Sequence, residues 1–266
     1  MARKAELIGA QKTRLPVIRL LVLAILGGAF IALGAMFATT VLAGANGTIP
    51  FGVARLLAGL VFSLGLILIV LGGAELFTGN ALMIMALASH KVGIAALARA
   101  WGIVYLGNFI GAVGMAVLVY LAGQHHLGGG DVGRTALAIA HEKMALGFAE
   151  AFFRGILCNL LVCLAVWLSL GARSTTDKVS AIILPVSAFV VAGFEHSVAN
   201  MYLIPFGMLI EASSVAQSWL PSGAESMRLL DFLLGLIPVT LGNIVGGGFL
   251  VGGVYWFVYL RDDPGR

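Results

Sequence analysis

Long apolar runs separated by short polar segments make up most of this chain. A helix crosses the ~30 Å hydrocarbon core of a bilayer with about 20 consecutive apolar residues. Runs at least that long occupy residues 20–43, 56–88, 101–122, 144–170, 179–210 and 232–260. The pattern therefore predicts an all-α membrane protein with six transmembrane helices.

Two of these runs, 56–88 and 179–210, are too long for a single span. A straight helix of about 33 residues would measure ~50 Å, well beyond the hydrocarbon core. Each run contains glycines near its middle, at Gly73 and Gly193, and glycine disfavours a helix by about 1 kcal/mol. We expect spans 2 and 5 to be broken there, with irregular backbone that is buried in protein or lines a cavity.

Each broken run carries an isolated ionisable position. Glu75 is the one charged residue of 56–88, and Glu195 and His196 are the ionisable residues of 179–210. Since a charge at the bilayer centre costs at least ~3 kcal/mol, such residues are functional candidates. The alternative is that His196 is a satisfied core histidine that only holds the loop in place.

The polar residues belong to a repeated pattern. Residues 73–80 and 193–200 both have the pattern Gly-x-Glu-x-x-x-small-Asn, and residues 106–111 resemble 241–246. Matched interrupted segments are typical of transporters built from repeats. Because each half holds three spans, we expect two inverted three-helix repeats, about 20–123 and 144–260, in an aquaporin-like architecture.

Basic residues predict the orientation. Lys and Arg are enriched in cytoplasmic loops of membrane proteins. With both termini inside, eleven of them lie on the cytoplasmic side, namely Arg3, Lys4, Lys12, Arg14, Arg19, Lys91, Arg99, Arg173, Lys178, Arg261 and Arg266. Four lie outside, namely Arg55, Arg134, Lys143 and Arg228. We predict a cytoplasmic segment 1–19, one channel domain 20–260 and a cytoplasmic tail 261–266.

Composition excludes most other classes. Of 266 residues, 60% are hydrophobic and 11% charged, against about 25% charged in soluble domains. We expect no nucleic-acid partner, no cofactor and no metal, and we interpret 124–143, with His125 and His126, as a solvated polar loop.

Glu150 and Arg154 have the i,i+4 spacing of a helical ion pair.

Three segments carry a resemblance to a known family. Residues 73–79, 155–167 and 194–201 resemble the signatures of the formate/nitrite transporter family of bacterial anion channels. The resemblance implies a homopentamer in the bacterial inner membrane, with one pore in each six-span protomer. It also implies passage of formate or nitrite, coupled to protons in some conditions, and no enzymatic activity.

The resemblance also assigns candidate site residues. By position, two apolar constrictions are expected: an outer one of Phe62, Leu66 and Phe189, and an inner one of Leu76, Phe77 and Val162. The polar pathway residues would be Thr78 facing His196, Lys143 at the outer vestibule, Asn159 and Asn243. Formate channels have an apolar residue where this chain has Arg154, so the preferred anion stays open between formate and nitrite.

A mechanism follows from the cost of desolvation. A bare carboxylate loses tens of kcal/mol in a dry constriction, whereas protonating an acid of pKa about 4 at pH 7 costs only ~4 kcal/mol. We expect Lys143 and helix N-termini to attract the anion, and His196, aided by Thr78, to donate or relay a proton. Glu75 and Glu195 would stabilise the breaks, and Thr78 could instead be a simple helix cap.

Other classes predict different features. A hydrosulfide or other weak-acid channel fits the same residues. An aquaporin-like channel for neutral solutes would carry paired Asn-Pro-Ala motifs, which neither repeat has. An intramembrane enzyme using Glu195, His196 or Cys158 would need a paired base or metal ligands, which the sequence does not indicate.

Overall fold

The computed structural model describes residues 1–45, 47–213, 219–220 and 226–262, and these ranges contain helices and connections but no strand. Much of the predicted polar loop after residue 211, and most of the predicted tail 261–266, lie outside the described residues. The helices are α1 (Ala2–Thr13), α2 (Val17–Leu42), α3 (Phe51–Gly72), α4 (Gly79–Ala88), α5 (Ile94–Leu121), α6 (Asp131–Met144), α7 (Phe148–Gly171), α8 (Thr175–Val191), α9 (Ser197–Glu211) and α10 (Leu229–Tyr259).

Within the described part of the chain, five helices are long and apolar enough to cross a membrane: α2, α3, α5, α7 and α10. In a solvent without hydrogen-bonding partners, a helix is favoured because it satisfies its own backbone groups. A long apolar run is therefore enough to indicate each of these helices. The prediction of an all-helical membrane protein is confirmed at this level.

Helices α3 and α8 end where the long runs were predicted to break. Gly73 and Gly193 take left-handed backbone angles, with φ of 76° and 70°, which glycine adopts without steric cost. The chain is then non-helical until α4 begins at Gly79 and α9 at Ser197. We call residues 73–78 the first break and residues 192–196 the second break.

The segment 124–143 differs from its prediction as a solvated loop. It folds into a short 3₁₀ stretch, Gln124–Gly130, followed by the 14-residue helix α6. The ring of His125 is buried and stacks on Tyr120 at 4.8 Å. The prediction was wrong because α6 is too polar to be recognised by hydropathy, although one face of it is buried against α9.

Helix α1 packs at the α4 end of the bundle. Its buried Glu6 accepts a hydrogen bond from Lys91 Nζ at 2.6 Å, and Lys4 Nζ donates to the carbonyl of Leu170 at 3.1 Å. Helices α2 and α5 approach closely at Gly28, where an added Cβ would lie 2.0 Å from the carbonyl oxygen of Asn108. Small residues allow such close helix contacts where no hydrophobic force drives them together.

Candidate functional site

The first break is held by the amide of Asn108, on α5. Its Nδ2 donates to the carbonyls of Ala24 at 2.7 Å and Glu75 at 2.8 Å, and its Oδ1 accepts from the backbone N–H of Phe77 at 2.8 Å. Asn108 is fully buried. Buried backbone groups without hydrogen-bond partners are costly, and the non-helical first break has no helical hydrogen bonds to provide them. The Asn108 amide supplies these partners.

Asn243, on α10, does the same at the second break. Its Nδ2 donates to the carbonyls of Gly155 at 2.8 Å and Glu195 at 2.9 Å, and its Oδ1 accepts from the backbone N–H of Ser197 at 3.0 Å. Asn243 was predicted as a polar pathway residue. The structure shows its side chain bonded to backbone groups of α7, of the second break and of the first residue of α9.

Each break also contains a buried carboxylate paired with a lysine. Glu75 accepts from Asn80 Nδ2 at 2.8 Å and lies 2.9 Å from Lys12 Nζ, which α1 supplies. Glu195 accepts from Asn200 Nδ2 at 2.7 Å and from Lys143 Nζ, on α6, at 2.8 Å. The same three residue types therefore surround both breaks.

His196 and Thr78 bring the two breaks together. His196 Nε2 lies 3.0 Å from Thr78 Oγ1, across 118 residues of sequence, and both side chains are buried. His196 also caps α9, because its Nδ1 accepts from the backbone N–H of Ala199 at 3.1 Å. An accepting Nδ1 carries no proton, so the neutral ring carries its hydrogen on Nε2. That hydrogen points toward Thr78.

Asn159, on α7, links the breaks a second time. Its Nδ2 donates to the carbonyl of Thr78 at 3.1 Å and to the carbonyl of Asn243 at 2.6 Å. Cys163, one turn further along α7, donates to the same Thr78 carbonyl at 3.3 Å. Two side chains of α7 therefore hold the backbone of Thr78 in its position opposite His196.

A cavity of about 90 Å³ reaches His196 from the α6 side, and we call it the Lys143 cavity. Phe62 and Phe189 line it, with ring centroids 5.5 Å apart, and Phe189 stacks on His196 at 6.0 Å. The charged residues on its wall are Arg55, Glu142, Lys143, Arg154 and Glu195. An apolar floor therefore lies below a charged mouth.

A second cavity, of about 190 Å³, opens on the α1 side, and we call it the Lys12 cavity. Its wall includes Lys12, Glu75, Leu66 and Leu76. Leu66 lies one turn along α3 from Phe62, a rise of about 6 Å. His196 lines the Lys143 cavity, whereas the Lys12 cavity is lined by residues of the first break and of α3.

The predicted constrictions only partly match these cavities. Leu66 was grouped with Phe62 and Phe189, yet it lines the Lys12 cavity with Leu76. Phe77 packs edge-on against Trp101 and Tyr105, at 6.0 and 4.9 Å, and both it and Val162 are buried outside the two cavity walls. Whether Phe77 and Val162 line the pore stays a prediction.

Sequence reasoning missed two cations. Lys12 counted only as an orientation signal, although it pairs with Glu75 just as Lys143 pairs with Glu195. Arg55 likewise counted only for orientation, although it lies on the wall of the Lys143 cavity. The repeat pattern could have indicated Lys12, since a second carboxylate in an equivalent position needs a second cation.

The comparisons with known proteins agree with this geometry. A family model described as formate/nitrite transporter matches residues 1–257. The chain belongs to the formate/nitrite transporter family. A member of that family, the formate channel FocA of Escherichia coli (strain K12), is 43% identical over 269 residues, which cover 99% of this chain and 94% of the relative.

Solved structures share the fold. A pentameric formate channel with formate bound is similar to this chain with a TM-score of 0.82 and 41% identity, covering 92% of this chain and 98% of that one. An ion channel of the same family matches with a TM-score of 0.83 and 27% identity, covering 97% and 98%. The relatives are named as channels or transporters, which agrees with a protein that is not an enzyme.

Proposed function

We propose that this chain is a channel for small monovalent anions, formate or nitrite, in the bacterial inner membrane. One observation carries the proposal: His196 contacts Thr78 of the other break and lines the Lys143 cavity, whose wall combines charged residues with the rings of Phe62 and Phe189. The basic residues on this wall would attract an anion, and the aromatic rings would force it to shed water.

The architecture that supports this function is six spans in two inverted repeats. Helices α2, α5, α7 and α10 would each cross the membrane, while α3 with α4 and α8 with α9 would form the broken spans 2 and 5. The matched roles of Asn108 and Asn243, and of Glu75 and Glu195, support the repeat. Three spans per repeat place the second repeat upside down relative to the first.

The excess of Lys and Arg around α1 supports cytoplasmic termini, with the Lys12 cavity inside and the Lys143 cavity outside. We further propose a homopentamer with a pore in each protomer. The formate channel of similar fold is described as pentameric. Many large apolar side chains on α3, α5, α7 and α10 are exposed in the single chain, as expected for surfaces that face lipid or neighbouring protomers.

Transport would begin at the charged mouths. Lys12 and Lys143 would hold Glu75 and Glu195 in place and offset their negative charges, which would otherwise repel the anion. The anion then meets Phe62 and Phe189 from one side, or Leu66 and Leu76 from the other. Because a dry ring penalises charge far more than it penalises a neutral acid, the anion gains a proton before it passes.

His196 would act first as a hydrogen-bond donor. With Nδ1 occupied by the Ala199 N–H, its Nε2–H is oriented toward the pathway. Thr78 Oγ1 accepts that bond in the resting state and can rotate to donate to the anion instead. The neutral ring holds one proton, so when the anion takes the Nε2 proton, directly or through the Thr78 hydroxyl, a proton from the aqueous mouth must replace it on Nε2 and return the ring to its neutral form.

The test is transport by purified chain in liposomes, comparing wild type with His196→Phe. We expect wild-type formate uptake to rise as the external pH falls from 7 to 5.5, and the phenylalanine variant to lose that dependence together with most of the flux. Thr78→Val is the matched second variant, since it removes only the hydroxyl partner of His196.

Uptake of formate, nitrite and hydrosulfide at both pH values would rank the substrates. Unchanged flux and pH dependence in His196→Phe would remove His196 from the mechanism. A wild-type chain that conducts none of the three anions would contradict the proposed function as a whole. Preference for hydrosulfide would place the chain with the alternative weak-acid channels.

A further inference from the structure

The cations around the Lys143 cavity differ in how well their charge is compensated. Lys143 lies 2.8 Å from the buried carboxylate of Glu195, and its side chain is only 15% exposed. Arg154 Nη2 lies 2.5 Å from Glu150 Oε1, and its Nη1 donates to the Gly193 carbonyl at 3.3 Å. Both of these positive charges are therefore opposed by a neighbouring carboxylate.

Arg55 is the exception on this wall. Within the described ranges no carboxylate lies within ion-pair distance of its guanidinium, and its buried Nε has no hydrogen-bond partner. Its guanidinium carbon lies over the ring of Phe51, 5.6 Å from the ring centroid. A half-buried guanidinium without an acceptor retains its full charge and its capacity to donate.

The guanidinium of Arg55 is also directed at the second break. An added Cβ on Gly193 would lie 3.1 Å from Arg55 Nη2. Arg154 approaches the same glycine through its carbonyl. Two guanidinium groups, from α3 and α7, thus converge on Gly193 at the entrance to His196, and a glycine there leaves open space between them.

We propose that Arg55, rather than Lys143, is the residue that binds the incoming anion at the mouth of the Lys143 cavity. The ligand class is a small planar oxyanion, formate or nitrite, which accepts two parallel hydrogen bonds from one guanidinium. This inference rests on the proposed function and names the entry site within it. Lys143 instead stabilises the fold of the second break through Glu195.

Glu142 opposes this site. It is exposed, lines the same cavity, and belongs to no ion pair in the part of the chain that the structure describes. A carboxylate at the mouth repels an anion as strongly as a cation at equal distance attracts it. Arg55 and Glu142 therefore act in opposite directions on the concentration of anion at the entrance.

The experiment measures initial formate influx into liposomes against formate concentration, at low and high concentrations of an inert salt. Arg55→Gln should raise the half-saturating formate concentration about three- to fivefold at low salt, the effect of one charge near 5 Å in water, with little change in maximal flux. At 0.5 M salt most of the difference should vanish, because screening shortens to a few ångströms. Glu142→Gln should lower the half-saturating concentration.

The controls separate charge from folding. Arg55→Lys keeps the charge but loses the two parallel donors, so its half-saturating concentration should lie between those of wild type and Arg55→Gln. The double variant Asp131→Asn with Arg134→Gln removes another arginine, from α6, together with the carboxylate that it pairs with at 2.6 Å, so net charge is kept and influx should be unchanged. Each variant is first shown to elute as a folded oligomer in detergent.

Several results would overturn the inference. An Arg55→Gln channel that saturates like wild type, or one that is equally impaired at both salt concentrations, contradicts it while leaving the proposed function intact. An effect of the Asp131→Asn, Arg134→Gln double variant as large as that of Arg55→Gln would show that any change to this surface, and not the loss of one site, alters influx. A wild-type chain that takes up no formate would fail the proposed function, and the inference with it.

Discussion

The two breaks share a scaffold but differ in what they present to each other. Both have a left-handed glycine, a buried glutamate with an asparagine and a lysine, and a buried asparagine amide across the turn. At the contact between them, however, the first break supplies Thr78 and the second supplies His196. The shared part builds irregular backbone, and the unshared part carries the proposed chemistry.

The two lysines also reach their glutamates by different routes. Lys12 comes from α1, at the N-terminal end of the chain before the first repeat, whereas Lys143 comes from α6, between the predicted repeats. Lys12 is 26% exposed and Lys143 15%. Each buried glutamate needs a cation beside it, and two unrelated helices, α1 and α6, supply the two lysines. The requirement for a cation therefore comes from the glutamate in each break and not from a repeated lysine-bearing helix.

The largest expected effect tests whether the breaks are equivalent in stability. Asn108→Leu and Asn243→Leu each remove three hydrogen bonds from buried backbone, and each unsatisfied group costs about 1–3 kcal/mol. We expect both variants to lose about 4 kcal/mol or more of stability, measured as a large, similar fall in melting temperature in detergent. Widely different falls in melting temperature for Asn108→Leu and Asn243→Leu would show that the two asparagines do not stabilise their breaks equally.

A smaller effect separates the two lysines. Removing one partner of a buried ion pair costs about 3–5 kcal/mol, so Lys143→Ala should approach the lower end of that range while the more exposed Lys12→Ala costs about half as much. The measurement is the melting temperature of each purified variant. The double variant Lys143→Met with Glu195→Gln should recover most of the loss, since it leaves no buried charge.

Equal losses for Lys12→Ala and Lys143→Ala would show that exposure does not distinguish the two pairs. If the double variant does not recover stability, the loss in Lys143→Ala comes from the missing hydrogen bond of Lys143 and not from the unpaired charge of Glu195.

The smallest effect concerns α6, which brings Lys143 to its break. Burial, with a smaller effect of neighbouring His126, lowers the pKa of His125 just before α6. A lowered folded-state pKa means that the folded chain resists protonation, so stability is full above the ordinary value of 6.5 and falls as the pH drops below it. Melting temperature should therefore decline from pH 7.5 to 5.5, and less steeply in His125→Phe.

Helix α1 contains no histidine, so the Lys12 contact offers a comparison for this pH effect. Limited proteolysis at pH 5.5 should expose α6 before α1. An identical pH slope in wild type and His125→Phe would exclude His125 as the origin.

Predictions from the sequence succeeded where the deciding property was local. Hydropathy located the apolar helices, and excess length together with Gly73 and Gly193 located both interruptions. The i,i+4 spacing of Glu150 and Arg154 correctly indicated their ion pair. They failed for α6, because its sequence is polar overall and its burial comes from packing on α9 and on the 3₁₀ stretch before it.

Site residues show the same division. The repeated pattern singled out Glu75, Glu195 and His196, because ionisable side chains stand out in apolar sequence. It could not show that Leu66 faces a different cavity from Phe62, since both lie on one face of α3 and the boundary between cavities depends on neighbouring helices. It also could not single out Arg55 from other basic flanking residues.

By itself, the sequence determined that this chain is apolar and helical and that two of its long apolar runs are broken. In hydrocarbon, backbone N–H and C=O groups must be hydrogen-bonded within the segment, which a helix achieves with partners four residues away. Only the tertiary structure decided which polar groups meet. Thr78 and His196 are 118 residues apart, and Lys12 reaches Glu75 from a separate helix. Such contacts depend on how whole helices pack, and no local pattern of residues encodes that packing.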